Sequence, residues 1–128
     1  MHQSRIQAVD HVVREAPIGL GEALRWFYGC VGCLDEIPPH STSRPVVLFR
    51  SARIELRVYL VDNPQTDSAG FPVVLAVESL EETAELLDER SVQYERITAT
   101  HWGDVRLETS DPGGNRVDFV RHTPVGPL

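Results

Sequence analysis

Nowhere in the 128 residues does an apolar run approach the roughly 18 consecutive positions that a membrane span needs. The chain also lacks a basic run. Its 12 Lys and Arg are outnumbered by 19 Asp and Glu, and a net charge of −7 argues against a protein that follows a phosphate backbone. The N-terminal Met1-His2-Gln3-Ser4-Arg5 has none of the apolar core of a signal peptide, so a cytoplasmic protein is expected. Cysteine is scarce. Cys30 and Cys33 form a C-x-x-C, but a zinc site needs two further ligands at comparable spacing, and none follows. A redox dithiol belongs at a helix N-terminus, where the dipole favours thiolate. This pair follows a helical stretch, at its unfavourable end, so both cysteines read as small residues at a helix exit.

What is present is ordinary globular material, 41% apolar and 24% charged, enough for one domain with its own core. Ile6 to Val13 has the density of a strand, with His11 on the face of Val9 and Val13, and Pro17 and Gly19 end it. Leu20, Leu24, Phe27 and Val31 then form one stripe of an amphipathic helix, with Gly32 as its C-cap. Trp26, Phe27 and Tyr28 are assigned to core and helix–sheet contact. A short strand at Leu34 to Ile37 leads into a polar loop. Val46 to Arg50 and Ile54 to Val61 read as a hairpin across Ser51-Ala52-Arg53. In its second strand, Glu55, Arg57 and Tyr59 oppose an apolar face of Ile54, Leu56, Val58 and Leu60.

Asp62 to Gly70 is a linker without periodicity. Val73 to Val77 is nearly all apolar, the pattern of a strand buried on both sides. Ser79 followed by Glu82 is a capping box opening a helix at Leu80 that runs to about Arg90. Strands follow near Tyr94 to Ile97, Val105 to Thr109 and Arg116 to Arg121. Asp111-Pro112-Gly113-Gly114-Asn115 is a turn before the last of them. Asn115 is expected there in a backbone conformation open to Asp or Gly and closed to a β-branched residue.

The order strand, helix, three strands is therefore written twice. This predicts an α+β fold of two βαβββ modules in tandem, module one over 5–61, a linker over 62–70 and module two over 71–122. Laying the halves over each other places His11 on Pro72, an offset of 61, and Glu55 on Asp118, an offset of 63. An acid thus recurs in both fourth strands.

These residues resemble the vicinal oxygen chelate superfamily (glyoxalase I, bleomycin-resistance proteins, extradiol dioxygenases, fosfomycin-resistance enzymes). The resemblance rests on Val9-Asp10-His11-Val12, on Trp26-Phe27-Tyr28-Gly29 with Val31-Gly32, on Val77-Glu78-Ser79-Leu80 and on the Asp-Pro-x-Gly-Asn turn. It implies a glyoxalase-like fold whose sheets curl around a central cavity, frequently completed in a homodimer. It also implies metal ligands from the first and fourth strands. The matching positions are His11, Glu55, Pro72 and Asp118. Pro72 cannot bind metal and Asp118 is shorter than the usual Glu. His11, Glu55 and Asp118 make a mixed N/O set suited to Fe, Mn, Co, Ni or Zn, with a coordination position left open.

Two functional classes follow. One is a metal-assisted enzyme, of lyase, isomerase, transferase or dioxygenase type, in which a metal on Glu55 and Asp118 acts as a Lewis acid on a small molecule. The other is a metal-free protein that binds and sequesters a drug-like molecule. Its starting point is that Arg57 and Arg116 share the face of the two carboxylates and could neutralise them without metal. An acid-lined cavity would suit a cationic ligand. Tyr59 and Trp102 are further candidates to line the pocket. His40, His101 and His122 read as exposed loop or terminal histidines.

Overall fold

The computed structural model describes residues 10–32, 34–38, 45–51, 54–65, 71–98 and 105–121, with the backbone but not the side chains of Asp10 and His11. Trp102, Cys33, His40, His101 and His122 lie outside the described residues, as does the start of the first predicted strand. Two compact units divide the chain, Met1–Gln65 and Thr66–Leu128.

The first unit runs β1 (Asp10–Pro17), α1 (Gly21–Arg25), a π-helical turn (Trp26–Val31), β2 (Asp35–Ile37), β3 (Val46–Arg50) and β4 (Ile54–Val61). The second runs β5 (Val73–Val77), α2 (Leu80–Glu89), β6 (Glu95–Thr98), β7 (Val105–Ser110) and β8 (Arg116–Arg121). Their sheets have the orders β1-β4-β3-β2 and β5-β8-β7-β6. In each, the first strand lies parallel to the fourth and the rest is antiparallel. The duplicated strand–helix–three-strand pattern is thus duplicated topology. Each sheet is open.

α1 continues directly into the π-helical turn, where the Gly32 N–H donates to the Phe27 carbonyl at 2.7 Å, five residues back. Leu24, Phe27, Tyr28 and Val31 are all buried there. Tyr28 meets Phe49 of β3 with ring centroids 5.2 Å apart, which marks the helix side of the first sheet. Trp26 does not join them. It is 39% exposed, because position 26 is turned about 200° from Leu24 on a helix. Cys30 is exposed as well. Gly32 closes the helix with a right-handed φ of −81°, so its freedom to adopt positive φ goes unused. In the second unit Ser79 caps α2, its Oγ accepting the Glu82 N–H at 3.1 Å, a contact worth about 1 kcal/mol. Thr83 and Leu87 are the residues α2 buries, and it packs on β7 and β8.

Alternation along the strands then fixes what each sheet presents away from its helix. Leu56, Val58, Val47 and Phe49 are buried on the helix side of the first sheet; Leu75, Leu107, Val117 and Phe119 are buried in the second. Each such side chain contributes about 1.5–3 kcal/mol by leaving water. β5 departs from expectation. Val73 and Leu75 are buried, but Val74 is 47% exposed and Ala76 is exposed too, so the strand is covered on one face. An apolar run alone does not distinguish one-sided from two-sided burial.

The turn before β8 is built around Asp111. Its Oδ1 accepts the N–H groups of Gly113 and Asn115 at 2.8 and 2.9 Å, and its backbone N–H donates to the Asn115 carbonyl at 2.8 Å. Gly114, at φ 94°, takes the left-handed position. Asn115 does not. It is fully buried, with Nδ2 3.4 Å from Asp111 Oδ2, so the side chain rather than an unusual backbone makes it suitable here.

Candidate functional site

Register decides which residues can meet. In the first unit His11 is the direct partner of Glu55 across the parallel β1–β4 pair. In the second unit the partner of Asp118 is Val74. Pro72 precedes β5, so the place equivalent to His11 holds valine. The first and fourth strands then share a single offset of 63 residues, not 61 and 63. The sequence overlay slipped by two because the apolar run of β5 offers no landmark. A fourth ligand is absent at that position either way, since valine has no donor atom.

Glu55, Arg57 and Tyr59 lie on the helix-free face of β4, where Val46, Leu48 and Arg50 of β3 are their cross-strand neighbours. Glu55 is only 6% exposed, yet it sits between two arginines. Arg50 Nη2 donates to Oε1 at 2.8 Å and Arg57 Nε donates to Oε2 at 2.7 Å. The Arg57 guanidinium is raised above its ordinary pKa chiefly by the hydrogen bond to Glu55, with Tyr59 adding to it. It stays protonated.

The second unit repeats the theme with more members. Asp118, 4% exposed, accepts Arg116 Nε on Oδ1 at 3.0 Å and Arg116 Nη2 on Oδ2 at 3.1 Å. Directly across β7–β8 is Glu108. Glu108 Oε2 takes N–H groups from Arg106 at 2.7 Å and from Arg116 at 2.9 Å. Arg106 Nε also lies 3.6 Å from Asp118. Hydrogen bonding to Asp118 raises the Arg116 pKa, and the charge of Glu108 adds to it. Two cations and two anions thus interlock on one face.

The sequence identified Glu55, Arg57, Tyr59, Arg116 and Asp118 as facing one way, and within each unit they do. It missed Arg50, Arg106 and Glu108. All three could have been found by counting outward from the turns, since a hairpin's register follows from its loop. Trp102 lies outside the described residues. Each of Glu55, Glu108 and Asp118 accepts arginine N–H groups.

A metal fits this arrangement poorly. Both oxygens of Glu55 and both of Asp118 already accept arginine N–H groups, and a divalent cation placed there would meet fixed positive charge at hydrogen-bonding distance. Among the described residues, no three His, Cys, Asp or Glu side chains cluster as an ion would require; the His11 imidazole lies outside that set. A cleft of about 960 Å³ sits elsewhere in the second unit, lined by Asp88, Tyr94, Glu95, Glu108 and Thr109 among others. Only Glu108 connects it to the ion lattice. No helix among the described residues is long and apolar enough to cross a membrane.

No family model and no curated protein matches the chain. Solved structures do. A glyoxalase family protein from Bacillus anthracis superposes with a TM-score of 0.80 at 27% identity, covering 95% of this chain and 100% of that one. The fosfomycin resistance protein FosX of Listeria monocytogenes, a variant complexed with Mn(II) and 1S,2S-dihydroxypropylphosphonic acid, gives 0.74 at 12% identity over 93% and 95%. A lactoylglutathione lyase from Agrobacterium tumefaciens gives 0.65 at 14% identity over 92% and 96%. From end to end, the chain resembles the vicinal oxygen chelate superfamily and has its glyoxalase fold.

Proposed function

We propose that this protein binds a small organic molecule on the helix-free faces of its two modules, and that it does so without a divalent metal held by Glu55 and Asp118. One observation carries the reading: arginine N–H groups take both oxygens of each carboxylate that the family pattern would offer to a metal. A carboxylate bridged in this way serves as an anchor for guanidinium groups. It is a poor Lewis base toward a second cation. The protein then works by binding, as a sequestering protein of the bleomycin-resistance type does, in the cytoplasm and as a homodimer that covers open sheet edges.

A metal-assisted enzyme is the second reading. What favours it is the register, which pairs His11 of β1 directly with Glu55 of β4 in one sheet. There Glu55 and Asp118 would act as catalytic ligands with Fe, Mn, Co, Ni or Zn. The deciding experiment is metal analysis of protein purified without a His-tag, with thermal unfolding in chelator and in excess Mn, Ni or Zn. The binding reading expects substoichiometric metal and no stabilisation. Stoichiometric metal that raises the melting temperature would replace it with the second.

A further inference from the structure

The open face of the first unit holds two guanidinium groups around one described carboxylate. Arg50 and Arg57 each reach Glu55 through a single nitrogen, whereas a guanidinium carries five N–H donors. Neither Arg50 nor Arg57 makes another bond among the described residues, and Tyr59 is the next side chain along the same face from Arg57. Both remain reachable, with side chains 52% and 37% exposed. Glu55 holds them together from opposite oxygens, so their spare donors are fixed side by side rather than free to wander.

Two other acids, Glu15 and Asp35, share this face. Glu15, opposite Tyr59, accepts the Gln65 backbone N–H at 2.9 Å. Asp35, opposite Arg50, is exposed and makes no ion pair among the described residues. The second unit differs, since Arg106 and Arg116 there meet two carboxylates, Glu108 and Asp118. Beside the first unit's arginines the same face carries apolar side chains, Val46, Leu48 and Ile37.

Resting on the metal-independent reading above, we propose that this face is an anion subsite. Arg50 and Arg57, with the Tyr59 hydroxyl, take the oxygens of a carboxylate or phosphonate, and Val46 and Ile37, the partly exposed apolar side chains of the face, take the apolar body of the same molecule. The ligand is thus a small amphipathic acid rather than a cation. Guanidinium forks match both headgroups in geometry and charge. The glutamate's part is to hold the two forks in place before the ligand arrives, which lowers the ordering cost of binding.

The test is calorimetric titration, in chelator, of three probes with one ring and different charge: benzoate, phenylphosphonate and benzylamine. The two acids should bind and the amine should not. The stronger acid identifies the headgroup. Arg50→Gln and Arg57→Gln should each weaken acid binding about tenfold or more, while Arg25→Gln, on the helix side, should leave it unchanged. Circular dichroism melting of each variant separates lost binding from lost folding, and added salt should weaken binding of the acids. Failure of both acids to bind at millimolar concentration, equal binding to the arginine variants, or preference for benzylamine would overturn the subsite. Binding of the acids only when Mn(II) is added would instead overturn the metal-independent reading on which it rests.

Discussion

Arg50 and Glu55 face each other across the β3–β4 hairpin, and Arg50 Nη2 donates to Glu55 Oε1 at 2.8 Å. The carboxylate is buried and the guanidinium half-exposed, so the contact is neither a fully solvated surface pair nor a dry internal one. A double-mutant cycle on Arg50→Gln and Glu55→Gln should give a coupling of about 0.5–1.5 kcal/mol in urea unfolding. Arg25 and Glu36 supply the control. Their separation is also 2.8 Å, but both side chains are well exposed, and their cycle should give at most about 0.5 kcal/mol. Equal couplings would mean that burial of Glu55 adds nothing to its pairing.

Asp118→Asn separates an ion lattice from a metal site by sign. In the lattice the substitution leaves Arg116 and Arg106 with Glu108 alone, and it should destabilise the protein by about 1–2 kcal/mol, reduced because both arginines can turn to solvent. Neither wild type nor variant should respond to Mn, Ni or Zn. A variant as stable as wild type in chelator, beside a wild type stabilised by metal, would be the signature of like charges in an empty metal site.

Much of this was legible from residues alone, and the gaps have physical causes. The Ser79 capping box and the Asp111 turn use local chemistry, so sequence placed them directly. Side-chain alternation placed Glu55 with Arg57 and Asp118 with Arg116. Trp26 was misplaced because a stretch of three aromatics looks uniformly apolar while a helix buries only part of its circumference. The partner of Asp118 was misplaced because Pro72 was aligned by appearance, whereas the register of β5 is set by pairing with β8. Arg50, Arg106 and Glu108 belong to neighbouring strands, and their roles emerge only when two hairpins are closed.

The Asp111 turn gives a third test, opposite to the one that backbone preference alone suggests. Asn115→Asp keeps size and turn propensity, yet it brings a second carboxylate to within hydrogen-bonding range of Asp111 Oδ2 in a buried site. We expect a loss of about 2 kcal/mol or more at neutral pH. Repulsion raises the folded-state pKa of the pair, so the loss should shrink as pH falls and one carboxyl is protonated. Gly114→Ala should cost about 1 kcal/mol through its positive φ, with no such pH dependence. Thermal melts at two pH values distinguish the variants, and a tolerated Asn115→Asp would show that the turn closes differently.

If arginines are what keep a metal away, removing them should admit one. Glu108 and Asp118 are direct partners across the antiparallel β7–β8 pair, which puts their Cβ atoms about 4.5–5.5 Å apart. Arg106 and Arg116 at present neutralise both. In Arg106→Gln/Arg116→Gln the two carboxylates stand opposed with no cation between them. Like charges directly opposite destabilise a sheet, so the variant in chelator should be less stable than wild type by about 1–3 kcal/mol. A divalent ion can then bridge the pair and restore stability through binding linkage, by about 2.7 kcal/mol at a hundredfold excess over its dissociation constant. The measurement is urea unfolding of wild type and variant, each in chelator and in millimolar Mn or Zn. Recovery in the variant beside indifference in wild type is the expected result. Stabilisation of wild type by the same metals, as large as that of the variant, would mean the guanidinium groups are no barrier, and the metal-assisted reading would become the better account of the site.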